Sequence, residues 1–358
     1  MIIFLVILVI IALILQFFAA RRGFKNLEVS VRLACEEAEP GEDCDLAVTF
    51  ENHSIFFIPY IRYVMILPGH VTSPLGKVSD YGVFAGEVHL KDSVWLKPKE
   101  KLVKHYPVSA DMRGRYVFQS IIVDTGDFLG LKSTAKKIPI NQEMVVFPRK
   151  LSVDKTPEIL GGFLGDRSVR RFLFEDPILT VGFHEYTGTE PMKMISWTRS
   201  AREGQLMVRR PDYTMEPSVS VVLNISGPQE SKEDIALLED TFSLARMVLE
   251  HLNQQGVQHD FRMNAVTLGS VSTWDYVTEG LGKKHLMSLL EGLGRASYDT
   301  RFSSKELVAR AVMHTGEQRG IIYITPGTDA IEDQEATRAA VRSGNRLIIL
   351  RGTEVRSC

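Results

Sequence analysis

Few residues of this chain have the types and spacing that catalysis requires. His184 and Glu185 are the one histidine beside an acid in a promising neighbourhood, but adjacent residues of a strand point to opposite faces, so we do not expect a catalytic dyad. The sequence lacks the motifs of a phosphate-binding loop, a serine-hydrolase elbow, a zinc-protease helix and a dinucleotide-binding turn. We therefore predict that the protein is not an enzyme and has no cofactor.

Side-chain oxygens at the ends of two apolar runs are candidate ligands for a cation. Asn224 and Ser226 lie at the end of the run Ser218–Ile225, and Asp329 follows a second such run. Ligands gather at the carboxyl ends of strands in open α/β sheets, and Mg²⁺ or Ca²⁺ needs several oxygens that include a carboxylate. Because Asn224 is neutral and Asp329 is the nearest acid, we predict that no metal binds.

The third candidate site is a dense mixture of aromatic, acidic and cationic residues between positions 181 and 210. Aromatic rings with polar tips can be buried there, and the charged side chains can pair around them. The candidate binding residues are Glu185, Tyr186, Glu190, Lys193, Trp197, Arg202, Arg209 and Arg210.

Two interpretations of this segment remain open. Its ion pairs and aromatic rings hold two domains together, or its side chains form a docking surface for a partner. We expect Trp197 to be at least half buried under either interpretation. We favour a structural pair between Glu185 and Arg202, and a docking role for Arg209 and Arg210, which have no acid close by in sequence before Asp212.

Composition excludes some classes of partner. The 358 residues carry a formal net charge of −2, so no general positive field would attract nucleic acid. The cysteines, Cys35, Cys44 and Cys358, fit neither a zinc site nor a disulfide framework, and we interpret them as free thiols in a reducing compartment. A bond between Cys35 and Cys44 across a hairpin is the alternative if that region is extracytoplasmic.

The first residues predict a membrane anchor. Residues 2–20 contain Gln16 as their one polar side chain, and a helix of that length reaches about the 30 Å of a bilayer core. A cleaved signal peptide is the alternative, but no basic residue precedes the apolar run. Arg21, Arg22 and Lys25 follow the segment, and positive flanks stay in the cytoplasm, so we predict a single-pass protein of the cell membrane with cytoplasmic domains.

The residues after the anchor predict two types of fold. From about 25 to 148, short runs such as Leu27–Leu33 alternate apolar and polar residues between turn signals, which favours an immunoglobulin-like β-sandwich. From about 216, strands alternate with helices, as in an open α/β sheet. Ser231 with Asp234, and Ser303 with Glu306, predict the starts of two helices, and further elements are expected at Glu332–Ser343 and Arg346–Leu350.

The segment around Trp197 resembles a bacterial and archaeal family called "domain of unknown function 58". The family pattern is close to G-x-R-E-Y-x-x-G-D-x-x-R-x-I-x-W-x-x-x-A-R-x-G-x-L-x-V-[RK]. The matching positions are Gly182, Glu185, Tyr186, Gly188, Glu190, Lys193, Ile195, Trp197, Ala201, Arg202, Gly204, Leu206, Val208 and Arg209. His184 stands where the family has arginine, and Glu190 and Lys193 are like-charge replacements.

This resemblance implies a fold and a role. It implies a multidomain α+β protein: anchor 1–20, β-sandwich 21–150, joining segment 151–215, and an α/β domain 216–358 similar to the von Willebrand factor A domain. Many relatives carry an Asp-x-Ser metal-adhesion motif there, whereas this chain has Asn224 and Ser226, a degenerate form.

Relatives are often encoded beside MoxR-type AAA ATPases, which implies a membrane-tethered interaction or assembly protein that works with such a partner. A metal-dependent ligand-binding module is the alternative, and an unrecognised hydrolase comes third.

Overall fold

A computed structural model of the chain describes residues 26–78, 88–126, 133–151, 180–188, 190, 192–211, 218–269, 275–315, 320–327, 334, 338, 346–351 and 354–357. The chain divides into two compact units, residues 1–149 and 150–358. Among the helices in these ranges, none is long and apolar enough to cross a membrane. The predicted anchor at residues 2–20, the predicted helix Glu332–Ser343 for the most part, and Asp329 lie outside the described residues.

The first unit is a β-sandwich. Its strands are β1 (Leu27–Leu33), β2 (Glu37–Ala38), β3 (Cys44–Asn52), β4 (Ile58–Ile66), β5 (Val71–Thr72), β6 (Lys77–Val78), β7 (Val88–Leu96), β8 (Lys101–Ala110), β9 (Gly114–Gly126) and β10 (Ser133–Val146). One sheet has the order β1-β3-β8-β5 and the other the order β2-β10-β9-β4-β7-β6. Strand β3 alternates strictly between buried and half-buried residues, so the period-two pattern gives one face to the core.

Two tyrosines tie the sheets together through the core. Tyr63 of β4 and Tyr106 of β8 hydrogen-bond to each other through their hydroxyls. Asp92 Oδ2 lies 3.1 Å from the Tyr106 hydroxyl and 3.3 Å from the Tyr63 hydroxyl, so one tyrosine donates to the carboxylate and the other donates to its tyrosine partner. Burial, together with the Asp92 carboxylate, raises the pKa of Tyr106 to about 12 against the opposing effect of the hydrogen bond with Tyr63, and burial likewise raises the pKa of Tyr63, so both hydroxyls stay neutral.

The structure corrects the interpretation of two cysteines as free thiols. Cys35 and Cys44 form a disulfide, with Cα atoms 6.0 Å apart. The reason is the β1–β3 register, in which Leu33 lies opposite Leu46 and the Ala34 amide donates to the Asp45 carbonyl, so the next pair is Cys35 and Cys44.

Asn52 closes the opposite end of the same strand pair. Its side-chain nitrogen donates to the carbonyls of Phe56 and Lys97, each at 2.8 Å, and its oxygen accepts from Ser54. The residue is 1% exposed, so the amide is a structural link between two turns.

The second unit contains a six-stranded open α/β sheet. The described strands of the second unit are β11 (Thr180–Glu185), β12 (Met207–Pro211), β13 (Ser218–Leu223), β14 (Gln258–Met263), β15 (Ala265–Thr267), β16 (Tyr276–Gly280), β17 (Ala296–Thr300), β18 (Gly320–Thr325), β19 (Arg346–Arg351) and β20 (Glu354–Ser357), of which β11 with β12 and β15 with β17 form two further two-stranded sheets. Its described helices are α1 (Trp197–Glu203), α2 (Lys232–Gln254), α3 (Lys283–Arg295) and α4 (Ser304–Thr315). The sheet order is β16-β14-β13-β18-β19-β20, with β14, β13, β18 and β19 parallel and the two edge strands antiparallel.

Local sequence signals place the helices of this unit. The capping box predicted at Ser231 is confirmed: its hydroxyl accepts from the Asp234 amide, and the Asp234 carboxylate accepts from the Ser231 amide. The Ser303 hydroxyl likewise accepts from the Glu306 amide at 3.3 Å. One apolar cluster packs α4 against β13, β18 and β19.

Candidate functional site

The residues between 180 and 211 form one compact element of the second unit. Strands β11 and β12 pair antiparallel, and α1 lies between them in the chain. The Ser200 hydroxyl accepts from the Met207 amide at 2.8 Å, and the Ser196 amide donates to the Met207 carbonyl. Gly204 ends α1 with a φ of 75°, a conformation that glycine adopts without strain. We call this the β11–α1–β12 element.

Glu190 is the best-fixed of the predicted charged residues. One carboxylate oxygen accepts from the Thr187 hydroxyl at 2.7 Å and lies 3.4 Å from His184 Nε2, and the other accepts from the Thr187 amide at 3.0 Å. The hydroxyl bond from Thr187, chief among these contacts, lowers the pKa of Glu190 to about 2. Glu190 is therefore an anion that holds the 187–190 turn.

The predicted pair between Glu185 and Arg202 is not formed. Glu185 instead accepts a hydrogen bond from Gln205 Nε2 at 2.6 Å. Arg202 is exposed in the last turn of α1, and no carboxylate of the described residues lies within ion-pair distance of it. The same holds for the exposed Arg209, which lies opposite Phe183 in the strand pair.

The expectation that Trp197 is at least half buried is wrong. Its side chain is 62% exposed at the start of α1. The buried side of the element, which we call its base, is formed by Ile195, Met207 and Val208, each of which is at most 6% exposed. Sequence reasoning assigned the large ring to the interior because it could not tell which face of a seven-residue helix would be covered.

Several apolar side chains of the element share this exposure. They are Phe183 at 37%, Met192 at 68%, Trp197 at 62% and Leu206 at 43% exposed. Phe183 is partly covered by the Arg199 guanidinium, which lies 5.2 Å from the ring centroid. The Tyr186 amide donates to the Leu206 carbonyl, and the side chains of Lys193 and Arg210 lie outside the described residues. The element combines a buried base with an apolar, cationic outer surface.

The second candidate site, at the carboxyl ends of β13 and β18, is a closed network of amides. Asn224 Oδ1 and Ser226 Oγ both accept from Asn264 Nδ2, at 2.7 and 3.0 Å, as expected if the two side chains converge. Asn264 Nδ2 also lies 3.3 Å from the Phe302 carbonyl, and its Oδ1 accepts from the Ile225 amide at 2.9 Å.

The oxygens of the candidate cation ligands Asn224 and Ser226 thus accept hydrogen bonds from a protein donor, Asn264. Asn224 is 2% and Asn264 0% exposed, so the network is shielded from water. Within the part of the chain that the structure describes, no group of three acidic, histidine or cysteine side chains is close enough to hold a metal. Asn264 was missed from the sequence because nothing there places the end of β14 beside that of β13; an asparagine directly after a strand was the available signal.

Comparison with known proteins gives similarities to solved structures but not to protein families or curated proteins. No protein-family model matches the chain, and no curated protein matches it. About a third of the chain is similar to the CARDB domain of the PF1109 protein from Pyrococcus furiosus, at 13% identity over 34% of this chain and 91% of that chain, with a TM-score of 0.23. A non-cellulosomal cohesin from Archaeoglobus fulgidus is 17% identical over 33% of this chain and 91% of its own, also with a TM-score of 0.23. Scores this low support no functional conclusion.

Proposed function

We propose that this protein is a non-enzymatic, membrane-tethered interaction and assembly factor, and that it docks a protein partner through the outer surface of the β11–α1–β12 element. The observation that carries the proposal is the exposure of Trp197. A residue that only held the structure together would be covered, whereas Trp197 is 62% exposed on an element whose Arg202 and Arg209 have no carboxylate partner among the described residues, and tryptophan with arginine is the composition of a binding hot spot.

The charges of the element define the partner. Arg202 and Arg209 present guanidinium groups without a carboxylate partner among the described residues, so the partner surface is acidic around an apolar pocket. A MoxR-type AAA ATPase is the partner that the family resemblance implies. We assign Arg202 to this surface, in place of the structural role expected from the sequence.

The same proposal includes the fold type of each unit and the attachment of the chain to the cell membrane. The two-sheet sandwich supports an immunoglobulin-like first unit, and the parallel centre of the second sheet supports a fold similar to the von Willebrand factor A domain. Residues 2–20 tether the chain to the cell membrane, and residues 21–25 favour cytoplasmic domains.

The alternative, metal-dependent function would require the side-chain oxygens of Asn224 and Ser226 as ligands, but both already accept hydrogen bonds within the protein. Asn264 donates to both Asn224 and Ser226, so a cation would have to displace it and gain no carboxylate in return. We expect millimolar Mg²⁺ to leave the melting temperature of the protein unchanged. A saturable rise would restore the adhesion-type alternative.

Binding of the full-length, detergent-solubilised protein to the MoxR-type ATPase of the same organism tests the docking surface. Trp197→Ala and the double variant Arg202→Ala with Arg209→Ala should each weaken binding by about 30-fold, the equivalent of a 2 kcal/mol hot spot. Because these side chains are exposed, the free energy of unfolding should change by less than about 1 kcal/mol.

Met313→Ala is the matched control, since Met313 is 82% exposed on α4 of the same unit. It should bind like the parent chain. Equal binding by the parent and both docking variants would remove the surface from the proposal, and no binding by the parent would remove the MoxR-type partner.

A further inference from the structure

At one end of the first unit, apolar side chains are exposed at the surface and are not part of the buried core. Ile55 is 72% and Trp95 52% exposed, and the ring of Phe57 packs against Trp95 with centroids 5.7 Å apart. We call this group, Ile55, Phe57 and Trp95, the aromatic end. It lies on the turn between β3 and β4 and at the end of β7, whose residue Leu96 pairs with Ile58.

The aromatic end is also where the chain enters the sandwich. The His53 amide donates to the Asn26 carbonyl at 2.8 Å, and Leu27, the first residue of β1, lies opposite Asn52. Five residues lie between Ala20, the last residue of the apolar segment, and Asn26, and six fully extended Cα-to-Cα steps span at most about 22 Å. The tether therefore holds the aromatic end close to the membrane surface.

The charges at this end fit the polar layer of a bilayer. The Lys97 ammonium lies 5.8 Å from the Trp95 ring centroid, and the Lys99 ammonium donates to the His53 carbonyl at 2.6 Å. The acids at this end have partners of their own. Glu28 pairs with His53 at 3.0 Å, Glu51 with Lys101 at 3.7 Å, and Glu100 accepts from the Lys97 amide at 2.6 Å.

We propose that the aromatic end lies in the headgroup and upper acyl layer of the membrane that holds residues 2–20. Tryptophan concentrates at membrane interfaces because its ring is apolar while its N–H remains hydrogen-bonded, and lysines beside it extend to phosphates. Ile55 would enter the acyl boundary. The inference rests on the proposed membrane tether and adds a second contact, which fixes the orientation of the first unit on the bilayer.

Fluorescence of the full-length chain in phosphatidylcholine vesicles tests this contact. A variant with Trp197→Phe and Trp274→Phe retains Trp95 as the only tryptophan, and the matched variant with Trp95→Phe and Trp274→Phe retains Trp197. With bromine on the acyl chains, emission from Trp95 should fall by about half, as expected for a ring at the interface, and the Trp197 variant gives the quenching of an exposed ring on the second unit for comparison. Adding Ile55→Ser to the Trp95 variant should reduce the quenching.

Flotation of the same vesicles after alkaline washing separates this proposal from the tether. Chains that float but show no bromine quenching of Trp95 would overturn the interfacial contact and leave the tether intact. Chains that do not float would overturn both. Protection of Trp95 from aqueous acrylamide without bromine quenching would assign the surface to a protein and also overturn the contact.

Discussion

Asn264 shows how one amide can occupy strand-end oxygens that were candidate ligands for a cation. Its nitrogen is shared among Asn224 Oδ1, Ser226 Oγ and the Phe302 carbonyl, the kind of oxygens that a hard ion would collect. An amide offers these oxygens partial positive charge without the dehydration cost of an ion. The network therefore holds the ends of β13 and β14 together without a metal.

Replacement of Asn264 by alanine should destabilise the second unit strongly. The substitution leaves the buried Asn224 oxygen and the Ile225 amide without these partners, and each such loss costs about 1–3 kcal/mol. We expect a fall in the free energy of unfolding of about 3 kcal/mol in chemical denaturation. Ser226→Ala is the milder control, since it removes one acceptor, and an equal effect of both variants would contradict the central role of Asn264.

Glu190 makes a prediction about pH. Its pKa is lowered from an ordinary 4.5 to about 2, first by the hydrogen bond from the Thr187 hydroxyl. A lowered pKa means that the contribution of Glu190 to stability is present above pH 4.5 and is lost as the pH falls towards 2. Carboxyl-carbon NMR should show the low pKa directly, and Thr187→Val should raise it towards 4.5. An unchanged titration in this variant would show that the hydroxyl is not the cause.

At the scale of elements, the predicted strands were recovered where one face is buried. The run Leu27–Leu33 is observed as β1 with the predicted bounds. The first half of β10 was missed because residues 133–137 are all exposed and show no alternation, and Pro139 and the irregular register after it break the pattern further.

Helices were predicted where side chains cap them. Ser231 and Ser303 mark the starts of α2 and α4, and the structure confirms both. Helix α3 was missed because its cap is Gly282, which has no side chain to signal a start, and because Gly292 and Gly294 lower its helix propensity. The sequence predicted which segment carries the candidate site. It could not predict which side of α1 is exposed, because that depends on packing against residues distant in sequence.

A pair of histidines joins β14 to α3 and predicts acid sensitivity. His259 is 0% exposed, its Nδ1 donates to the Val257 carbonyl, and its ring lies 5.0 Å from that of His285. Burial lowers the pKa of both histidines below 6.5, so the unfolded chain binds protons more readily. The free energy of unfolding should therefore fall as the pH drops below 6.5, by up to about 1.4 kcal/mol per pH unit for each histidine.

Denaturation at pH 7.5 and pH 5.5 checks this, with His259→Phe and His285→Phe as the variants. Each variant should lose part of the difference in stability between the two conditions. An unchanged difference in both would show that other groups control the acid response.

At the scale of the whole molecule, two features give opposite indications of the compartment. The basic residues Arg21, Arg22 and Lys25 favour cytoplasmic domains, whereas the disulfide between Cys35 and Cys44 is typical of an oxidising compartment. Because Cys35 and Cys44 are paired, Cys358 is the one remaining thiol of the three cysteines and can be labelled selectively by a thiol reagent.

We retain the orientation set by the basic residues, since they lie directly beside the apolar segment. An impermeant thiol reagent should then fail to label Cys358 in intact cells and should label it after permeabilisation. Labelling in intact cells would place the second unit outside, in the compartment where the disulfide is stable.

The setting of Asn52 has a consequence for how the protein is produced. Asn52-His53-Ser54 has the form of an acceptor sequence for N-linked glycans, yet the Asn52 nitrogen is committed to two carbonyls in a closed turn. Enzymes of a eukaryotic secretory pathway would reach it only before the sandwich closes, and a sugar added then would keep the turn from forming. Bacterial expression avoids this conflict, so the yield of folded protein should depend on the host.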